Sequence, residues 1–248
     1  MKRYSVLALA LLLALHYVTL LATPSSAEPM NKSSAHITSR SLVEDLTGTL
    51  GVAPPTGARP LSLITISLLK DFEGWAPAAY DDPSGFCTIG YGHLISLKRC
   101  AEISLDAFAK NLSEAEGENL LEKDTCTARV HVQQLVKVEL TDSEFGALSS
   151  FVFNIGKENF ATSTLLSLLN ANERQAAAAE FRRWVKSKGQ VYSGLVDRRS
   201  CEATLFLGQL TLDKQGRFNR QQCKSLGAAP PDGTLIDIEV GEQREGRK

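Results

Sequence analysis

The hydrophobic and polar positions along the chain predict segments of three kinds. A largely apolar run, rich in Leu and Ala and weakened by His16 and Tyr17, extends from Val6 to Ala22. Between residues 61 and 72, apolar side chains return every three or four positions, which is the period of an amphipathic helix. Residues 75–91 instead read as two short strands around a turn, and helical periodicity returns after residue 113. The chain is therefore expected to combine a small hairpin with a larger set of helices in an α+β fold.

The apolar run near the N-terminus is typical of an export signal. Lys2 and Arg3 precede it, and the small residues Ser25 and Ala27 follow it, as at a signal-peptidase site. We predict that residues 1–27 are a cleaved signal peptide, which makes the protein secreted or periplasmic. The alternative is an uncleaved signal anchor in the inner membrane, although the run reaches only the short end of the roughly 17–25 residues that span a bilayer.

Three further segments follow the predicted signal. Residues 28–60 are rich in Ser, Thr, Pro and Gly, a composition that buries too little apolar surface to fold, so they are expected to form a flexible linker. Residues 61–212 carry the periodic apolar positions of a folded domain, which also contains the candidate catalytic residues described below. Residues 213–248 are expected to be a C-terminal extension that ends in a disordered tail.

Composition narrows the class of protein. A hydrophobic content of 43% and a charged content of 22% are ordinary for a soluble globular protein, and a formal net charge of -1 gives no case for nucleic-acid binding. The five cysteines contain no C-x-x-C pair, so a structural metal site is not expected. In an exported chain they are expected to form disulfides, and an odd number leaves at least one outside an intramolecular pair.

Glu73 is the first candidate catalytic residue because of its position. Gly74 suits the residue just past a helix end, which places Glu73 in the last turn of the predicted helix. The partial negative charge of the helix C-terminus and the apolar neighbours Phe72 and Trp75 both favour a protonated carboxyl group, which a general acid requires. The alternative interpretation is an exposed glutamate at a frayed helix end.

The predicted hairpin carries two further candidates. Asp82 lies among turn formers, where solvent is expected to keep it ionised, and Thr88 lies on the returning strand, where its hydroxyl can share a water with Asp82. A neutral acid, an ionised carboxylate and a hydroxyl that holds water are the groups needed to hydrolyse a glycosidic bond with inversion. Each residue also has a plain structural explanation, as a turn former or a strand former.

The spacing of these residues resembles a known signature. The pattern Glu73-x8-Asp82-x5-Thr88, followed by Ile89-Gly90-Tyr91-Gly92-His93, is similar to the catalytic motif of phage-type lysozymes, glycoside hydrolase family 24. The resemblance extends over about residues 62–210. It implies a lysozyme-like fold, in which a small β-hairpin lobe and a larger all-helical lobe are joined by a long helix. That helix is expected from Ser113 to Val138, with a break near Cys126.

The resemblance implies a role for each of the three residues. Glu73 would be the general acid. Asp82 would be the carboxylate that activates water or stabilises positive charge on the sugar, and Thr88 would help to position that water. Only Asp82 of the doublet Asp81-Asp82 keeps the spacing of the family.

Four further residues are expected to support this site or to bind substrate. By resemblance, His93 would pair with Asp124 on the long helix, and Arg198 would reach back to the carboxylate of Glu73. Asn154 lies on the predicted central helix of the helical lobe. Two interpretations stay open for it: a ligand for a sugar amide in the cleft, or a polar group that satisfies the core.

The implied function is that of a peptidoglycan hydrolase, an N-acetylmuramidase. It would cleave the β-1,4 bond between N-acetylmuramic acid and N-acetylglucosamine with inversion, as a monomer and without a metal or cofactor. One alternative is a chitin-type glycoside hydrolase on the same fold, and another is a cell-wall-binding protein that has lost catalysis. No nucleic-acid partner is expected, and membrane contact is expected only through an uncleaved signal segment.

Overall fold

The computed structural model describes residues 57–223 and 235–242. The predicted signal peptide, most of the predicted linker and the remainder of the predicted tail lie outside the described residues. Within the two described ranges, no helix combines the length and the apolar character that crossing a lipid bilayer requires.

A helix and a small sheet form the first lobe. Helix α1 (Leu63–Glu73) leads into an antiparallel sheet of three strands in the order β1-β2-β3. The strands are β1 (Ala76–Asp81), β2 (Cys87–Gly90) and β3 (His93–Ser96). Two short 3₁₀ turns then lead to the long helix α2 (Glu114–Leu135), which joins this lobe to the rest of the described chain.

The second lobe is helical, as the sequence predicts. Its central helix α3 packs against both α2 and the last helix, α7. A two-stranded hairpin precedes α7. The elements are α3 (Asp142–Ile155), α4 (Lys157–Ala161), α5 (Thr164–Asn170), α6 (Arg174–Glu180), β4 (Lys186–Ser187), β5 (Gln190–Val191) and α7 (Ser193–Phe206).

Helix ends follow the local chemistry of the sequence. Ser113 and Glu116 form a capping box at the start of α2, and Thr141 and Glu144 form another at the start of α3. Gly74 ends α1 with a φ of 75° and donates its N–H to the carbonyl oxygen of Lys70 over 3.0 Å. The prediction that Glu73 lies in the last turn of a helix is therefore confirmed.

Two elements differ from the sequence-based expectation. The small lobe has a third strand, β3, which pairs with β2 and adds to the two-stranded hairpin that the sequence predicts. Helix α2 runs unbroken through Cys126, so the expected break there is wrong. Cys126 is 8% exposed and faces the interior, and its place on the buried face of α2 explains why no kink is needed.

Glycines permit two close approaches that position the site. A Cβ on Gly146 of α3 would lie 1.9 Å from the hydroxyl oxygen of Thr65, so only glycine lets α1 lie this close to α3. A Cβ on Gly117 of α2 would lie 2.2 Å from the ring of Trp75. These contacts hold α1 and the start of β1, on either side of Glu73, against the two central helices.

The core of the helical lobe is aromatic. Phe151 of α3 makes edge contacts with the rings of Phe181 and Trp184, whose centroids lie 4.9 Å and 5.5 Å away. Both partners are fully buried. Helix α3, whose last turn carries Asn154, is thereby fixed at the centre of the lobe.

Two disulfides resolve the pairing that the sequence leaves open. Cys87 of β2 pairs with Cys100, and Cys201 of α7 pairs with Cys223. Cys126 belongs to neither pair. The first disulfide ties the connection after β3 to the sheet beside Thr88, and the second ties the segment after α7 to that helix.

The described part of the predicted tail packs on the helical lobe. Ile236 and Ile238 are buried against the core, and Lys186 of β4 forms a parallel bridge with Asp237. Residues 235–242 are therefore ordered, which contradicts the disorder expected for the tail. The reason is that Ile236 and Ile238 alternate along an extended segment beside β4, so that both side chains face the core.

The described end of the predicted linker is also fixed in place. Arg59 donates through Nη1 to the carbonyl oxygen of Leu140 over 3.0 Å, and its own carbonyl oxygen accepts from Arg129 Nη1 over 3.0 Å. The chain therefore already contacts the helical lobe at Arg59, within the segment expected to be a flexible linker.

Candidate active site

Glu73 lies at the junction of the two lobes and is withdrawn from solvent. Its side chain is only 2% exposed. Its Oε1 accepts a hydrogen bond from Arg198 Nη1 over 2.7 Å, across 125 positions of sequence. The expected alternative, an exposed glutamate at a frayed end, does not describe this environment. The other carboxylate oxygen, Oε2, has no hydrogen-bond donor among the described residues.

Asp82 is held by the backbone of its own turn. Its Oδ1 accepts from the N–H of Ser84 over 2.8 Å and from the N–H of Phe86 over 2.9 Å. The turn covers the residue, which is 7% exposed, so the expectation of a solvated carboxylate is wrong. Two backbone N–H groups of the turn, rather than bulk water, are the hydrogen-bond donors to Asp82 Oδ1.

Thr88 and Tyr80 lie opposite each other on β2 and β1. The two residues are Cα partners in the antiparallel register, so their side chains lie on the same face of the sheet. Thr88 is buried and its hydroxyl donates to the carbonyl oxygen of Phe86 over 3.2 Å. Burial raises the pKa of the Tyr80 phenol, and the nearby charges of Asp82 and Glu73 raise it further. Tyr80 therefore interacts electrostatically with both carboxylates.

Arg198 belongs to a buried cluster of charges. It is 2% exposed, and it donates through Nη1 to Glu73 and through Nε to Glu202 Oε1, the latter over 3.1 Å. Burial by itself lowers the pKa of this guanidinium, but the charges of Glu73 and Glu202 outweigh that effect and raise the pKa above its ordinary value. Arg198 is therefore a fixed cation between two carboxylates.

Arg199 completes the cluster. It is fully buried, its Nε lies 3.0 Å from Glu202 Oε2, and its Nη2 donates to Asn154 Oδ1 over 2.6 Å. Desolvation lowers the pKa of the Arg199 guanidinium to about 10, while Glu202 opposes that shift. Arg199 therefore remains charged at neutral pH.

Asn154 takes part in this cluster and is buried. It is 3% exposed, and its carbonyl oxygen is occupied by Arg199. Of the two interpretations that the sequence leaves open, this contact favours the one in which Asn154 satisfies the core. The geometry does not add support to a contact with a sugar amide.

His93 and Asp124 lie within contact distance, as the family resemblance implies. His93 Nδ1 lies 3.0 Å from both carboxylate oxygens of Asp124, and the two side chains are about one quarter exposed. The pair ties β3 to α2. It therefore holds the sheet that carries Asp82 and Thr88 against the joining helix.

Two residues near the site escaped the sequence analysis. Glu202 was missed although it follows Arg198 by four positions and Arg199 by three, which places all three on one helical face. Tyr80 was given no role, although it lies only two positions before Asp82 and is the β1 partner of Thr88. Within the described residues, no group of three His, Cys, Asp or Glu side chains is arranged to hold a metal ion.

Fold and site together define an α+β protein of the lysozyme-like class. The muramidase domain of SpmX from Asticaccaulis excentricus superposes with a TM-score of 0.52 at 33% identity, over 60% of this chain and 98% of that one. The family model described as phage lysozyme matches residues 70–202. The chain belongs to the phage lysozyme family.

Two curated relatives illustrate the match. The endolysin of Bacillus phage B103 is 42% identical over 149 residues, which cover 59% of this chain and 54% of that protein. The SAR-endolysin of Bacteriophage PS119 is 35% identical over 136 residues, covering 54% of this chain and 76% of that protein. The chain spans about half the length of the Bacillus phage relative.

Proposed function

We propose that this protein is a peptidoglycan hydrolase of the lysozyme type. It cleaves the β-1,4 bond between N-acetylmuramic acid and N-acetylglucosamine. The observation that carries the proposal is the pair of unlike carboxylates at the junction of the lobes: Glu73, enclosed and bound to Arg198, and Asp82, bound to its own turn amides. Membership of the phage lysozyme family and the names of the relatives support the choice of substrate.

In the proposed reaction Glu73 is the general acid. Oε1 is occupied by Arg198, so the proton that Glu73 transfers to the glycosidic oxygen is carried by Oε2. The bond between the anomeric carbon and that oxygen then breaks, and positive charge develops on the sugar ring. Burial of the acid strengthens its interaction with the developing charge because water no longer screens it.

Asp82 and Thr88 act on the other reactant, a water molecule. The carboxylate of Asp82 takes a proton from the water as its oxygen attacks the anomeric carbon, and the hydroxyl of Thr88 holds that water in place. The two backbone amides on Asp82 Oδ1 fix the direction of the carboxylate and leave Oδ2 for the water. A single displacement of this kind inverts the anomeric configuration.

The remaining expectations form part of the same proposal. Export by residues 1–27 brings the enzyme to its substrate, and the enzyme acts as a monomer, without a metal or cofactor. Amino-terminal sequencing of the exported protein tests the first point. Cleavage after Ala27 gives an amino terminus at Glu28, whereas an intact Met1 in the membrane fraction would support the signal-anchor alternative instead.

A clearing assay on purified peptidoglycan tests the function. The wild type should lower the turbidity of the suspension, and Glu73→Gln and Asp82→Asn should not. Glu102→Gln, at an exposed carboxylate, is the matched control and should behave like the wild type. Chitin is assayed in parallel. Cleavage of chitin but not of peptidoglycan would favour the chitin-type hydrolase, and binding without cleavage would favour the wall-binding protein.

The stereochemistry has a separate test. Proton NMR of a short wall oligosaccharide, recorded in the first minutes of hydrolysis, resolves the two anomers of the new reducing end. Inversion gives the α-anomer first, and a first product in the β form would rule out the single displacement.

A further inference from the structure

We propose that Glu202 is a positioning residue for the candidate acid, Glu73. It anchors the guanidinium of Arg198 and offsets the positive charge that Arg198 and Arg199 place beside the acid. The inference rests on the proposed function, because it assumes that Glu73 must bind a proton in order to act.

Glu202 and Glu73 hold the same guanidinium group from two sides. Glu202 Oε1 accepts from Arg198 Nε over 3.1 Å, and Glu73 Oε1 accepts from Arg198 Nη1 over 2.7 Å. Ser150 donates its hydroxyl to Glu202 Oε1 over 2.6 Å, which fixes Glu202 itself to α3. A chain of hydrogen bonds from α3 through Glu202 and Arg198 therefore fixes the orientation of Glu73.

The charge of the cluster shows what Glu202 contributes. Two arginines and two carboxylates sum to zero when Glu73 is ionised and to one positive charge when Glu73 is protonated. Without Glu202, both states carry one more positive charge. All four side chains are almost fully buried, and charges interact strongly where water is excluded. Loss of Glu202 would therefore oppose the protonation of Glu73.

Other titratable groups surround Glu73, but they do not contact Glu202. Strand β1 contributes Tyr80 and the following turn contributes Asp82, and both carboxylates act on the Tyr80 phenol. On α1 itself, Asp71 pairs with Arg220, which also lies over the Phe72 ring. Replacing Glu202 removes none of these contacts. A change in the titration of Glu73 in a Glu202 variant can therefore be attributed to Glu202.

Some polar atoms of the Glu73, Arg198, Arg199 and Glu202 cluster are poorly paired, so the cluster is not optimised for stability alone. Arg199 Nη1 is buried without a hydrogen-bond partner among the described residues, and the Nε–Oε2 approach to Glu202 lacks hydrogen-bond alignment. Buried ion pairs are often no more stabilising than apolar side chains of the same volume, because their desolvation is costly. An influence on the protonation of Glu73 would explain why these charged side chains are buried together.

The decisive experiment is the pH dependence of peptidoglycan cleavage in charge variants. In Glu202→Gln, which keeps the shape and the acceptor for Ser150, the alkaline limb of the profile should move to lower pH by about one unit. Glu202→Asp should keep the limb near its wild-type position. Arg199→Gln should move the limb in the opposite direction, and Glu202→Gln/Arg199→Gln should return it towards the wild type.

A second readout does not depend on activity. In protein labelled with ¹³C at the glutamate carboxyl carbons, the Glu73 signal is assigned by its loss in Glu73→Gln. This signal should titrate at lower pH in Glu202→Gln than in the wild type. Thermal unfolding of each variant shows whether it is folded. If Glu202→Gln does not fold, the Arg199→Gln variant tests the proposal instead.

The outcomes separate the two proposals. If the wild type does not cleave peptidoglycan but the Glu73 signal shifts as stated, the proposed function fails and the coupling stands. If the wild type cleaves and Glu202→Gln loses activity equally at every pH, with an unshifted Glu73 signal, then Glu202 is merely structural and the inference is overturned. An unshifted limb in Arg199→Gln would overturn it in the same way.

Discussion

The surroundings of Glu73 and Asp82 show two ways to hold a carboxylate. Asp82 is bound by backbone amides two and four residues along the chain. Glu73 is bound by a side chain 125 positions away, which is itself fixed by Glu202 and Ser150. The first environment is complete once a turn forms, whereas the second exists only when both lobes have packed. The two sites should therefore respond differently to mutation.

The largest effect on stability is expected on the Glu73 side. Arg198→Met should lower the free energy of unfolding by about 3–5 kcal/mol, because it leaves the buried carboxylates of Glu73 and Glu202 without their shared cation. Urea unfolding measures this loss. Arg217→Met is the control, since the Arg217 side chain is 72% exposed and its loss should cost less than about 1 kcal/mol. Similar losses in the two variants would contradict a buried network.

The disulfide beside the sheet should matter nearly as much. Cys87→Ser/Cys100→Ser should lower the free energy of unfolding by about 2–4 kcal/mol, because the cross-link restricts the unfolded chain. It should also weaken catalysis. The disulfide holds the loop in which the Cys100 N–H binds Asp81 Oδ1 over 2.7 Å, next to Asp82.

The matched control for that pair is the second disulfide. Cys201→Ser/Cys223→Ser should destabilise the protein by a similar amount, since the separations of the paired cysteines are 13 and 22 residues. It should not change the activity of the molecules that remain folded. Equal effects of the two disulfides on specific activity would count against a special link between Cys87–Cys100 and the Asp82 turn.

A smaller effect is expected where the sheet meets the joining helix. His93→Gln should cost about 1 kcal/mol, because the pair with Asp124 is part-exposed and contributes about as much as one hydrogen bond. Asp124→Asn should cost a similar amount. The double variant should cost less than the sum of the two, and additive losses would show that the two residues do not stabilise the protein through each other.

Asp82→Asn should have the smallest effect on stability and a large effect on activity. The amide oxygen of asparagine can still accept from Ser84 and Phe86, so the free energy of unfolding should change by less than about 1 kcal/mol. In the proposed reaction the carboxylate of Asp82 activates water, so its loss should lower the rate by about 100-fold or more. A large loss of stability would show that the turn depends on the charge of Asp82.

Sequence reasoning reached the parts of the site that depend on local signals. Gly74 and the turn formers after Asp81 placed the two carboxylates. The partner of His93 and the reach of Arg198 came from the family resemblance rather than from the pattern itself. Asp82 was correctly placed in a turn, but its burial was missed because solvent exposure depends on how tightly that turn closes.

The parts that were missed depend on contacts between distant segments. The pairing of β3 with β2, the choice of disulfide partners and the burial of Ile236 each require a surface that another segment supplies. Glu202 belongs to the same class. Its spacing from Arg198 was visible, but a charged helical face looks the same in sequence whether it faces solvent or the core.

The central claim is that Glu73 donates the proton that breaks the glycosidic bond. Mass spectrometry of the fragments released from purified peptidoglycan tests it most directly. The wild type should release fragments that end in reducing N-acetylmuramic acid, and folded Glu73→Gln should release them at least about 100-fold more slowly. Fragments ending in reducing N-acetylglucosamine, or equal rates for the two proteins, would contradict the account.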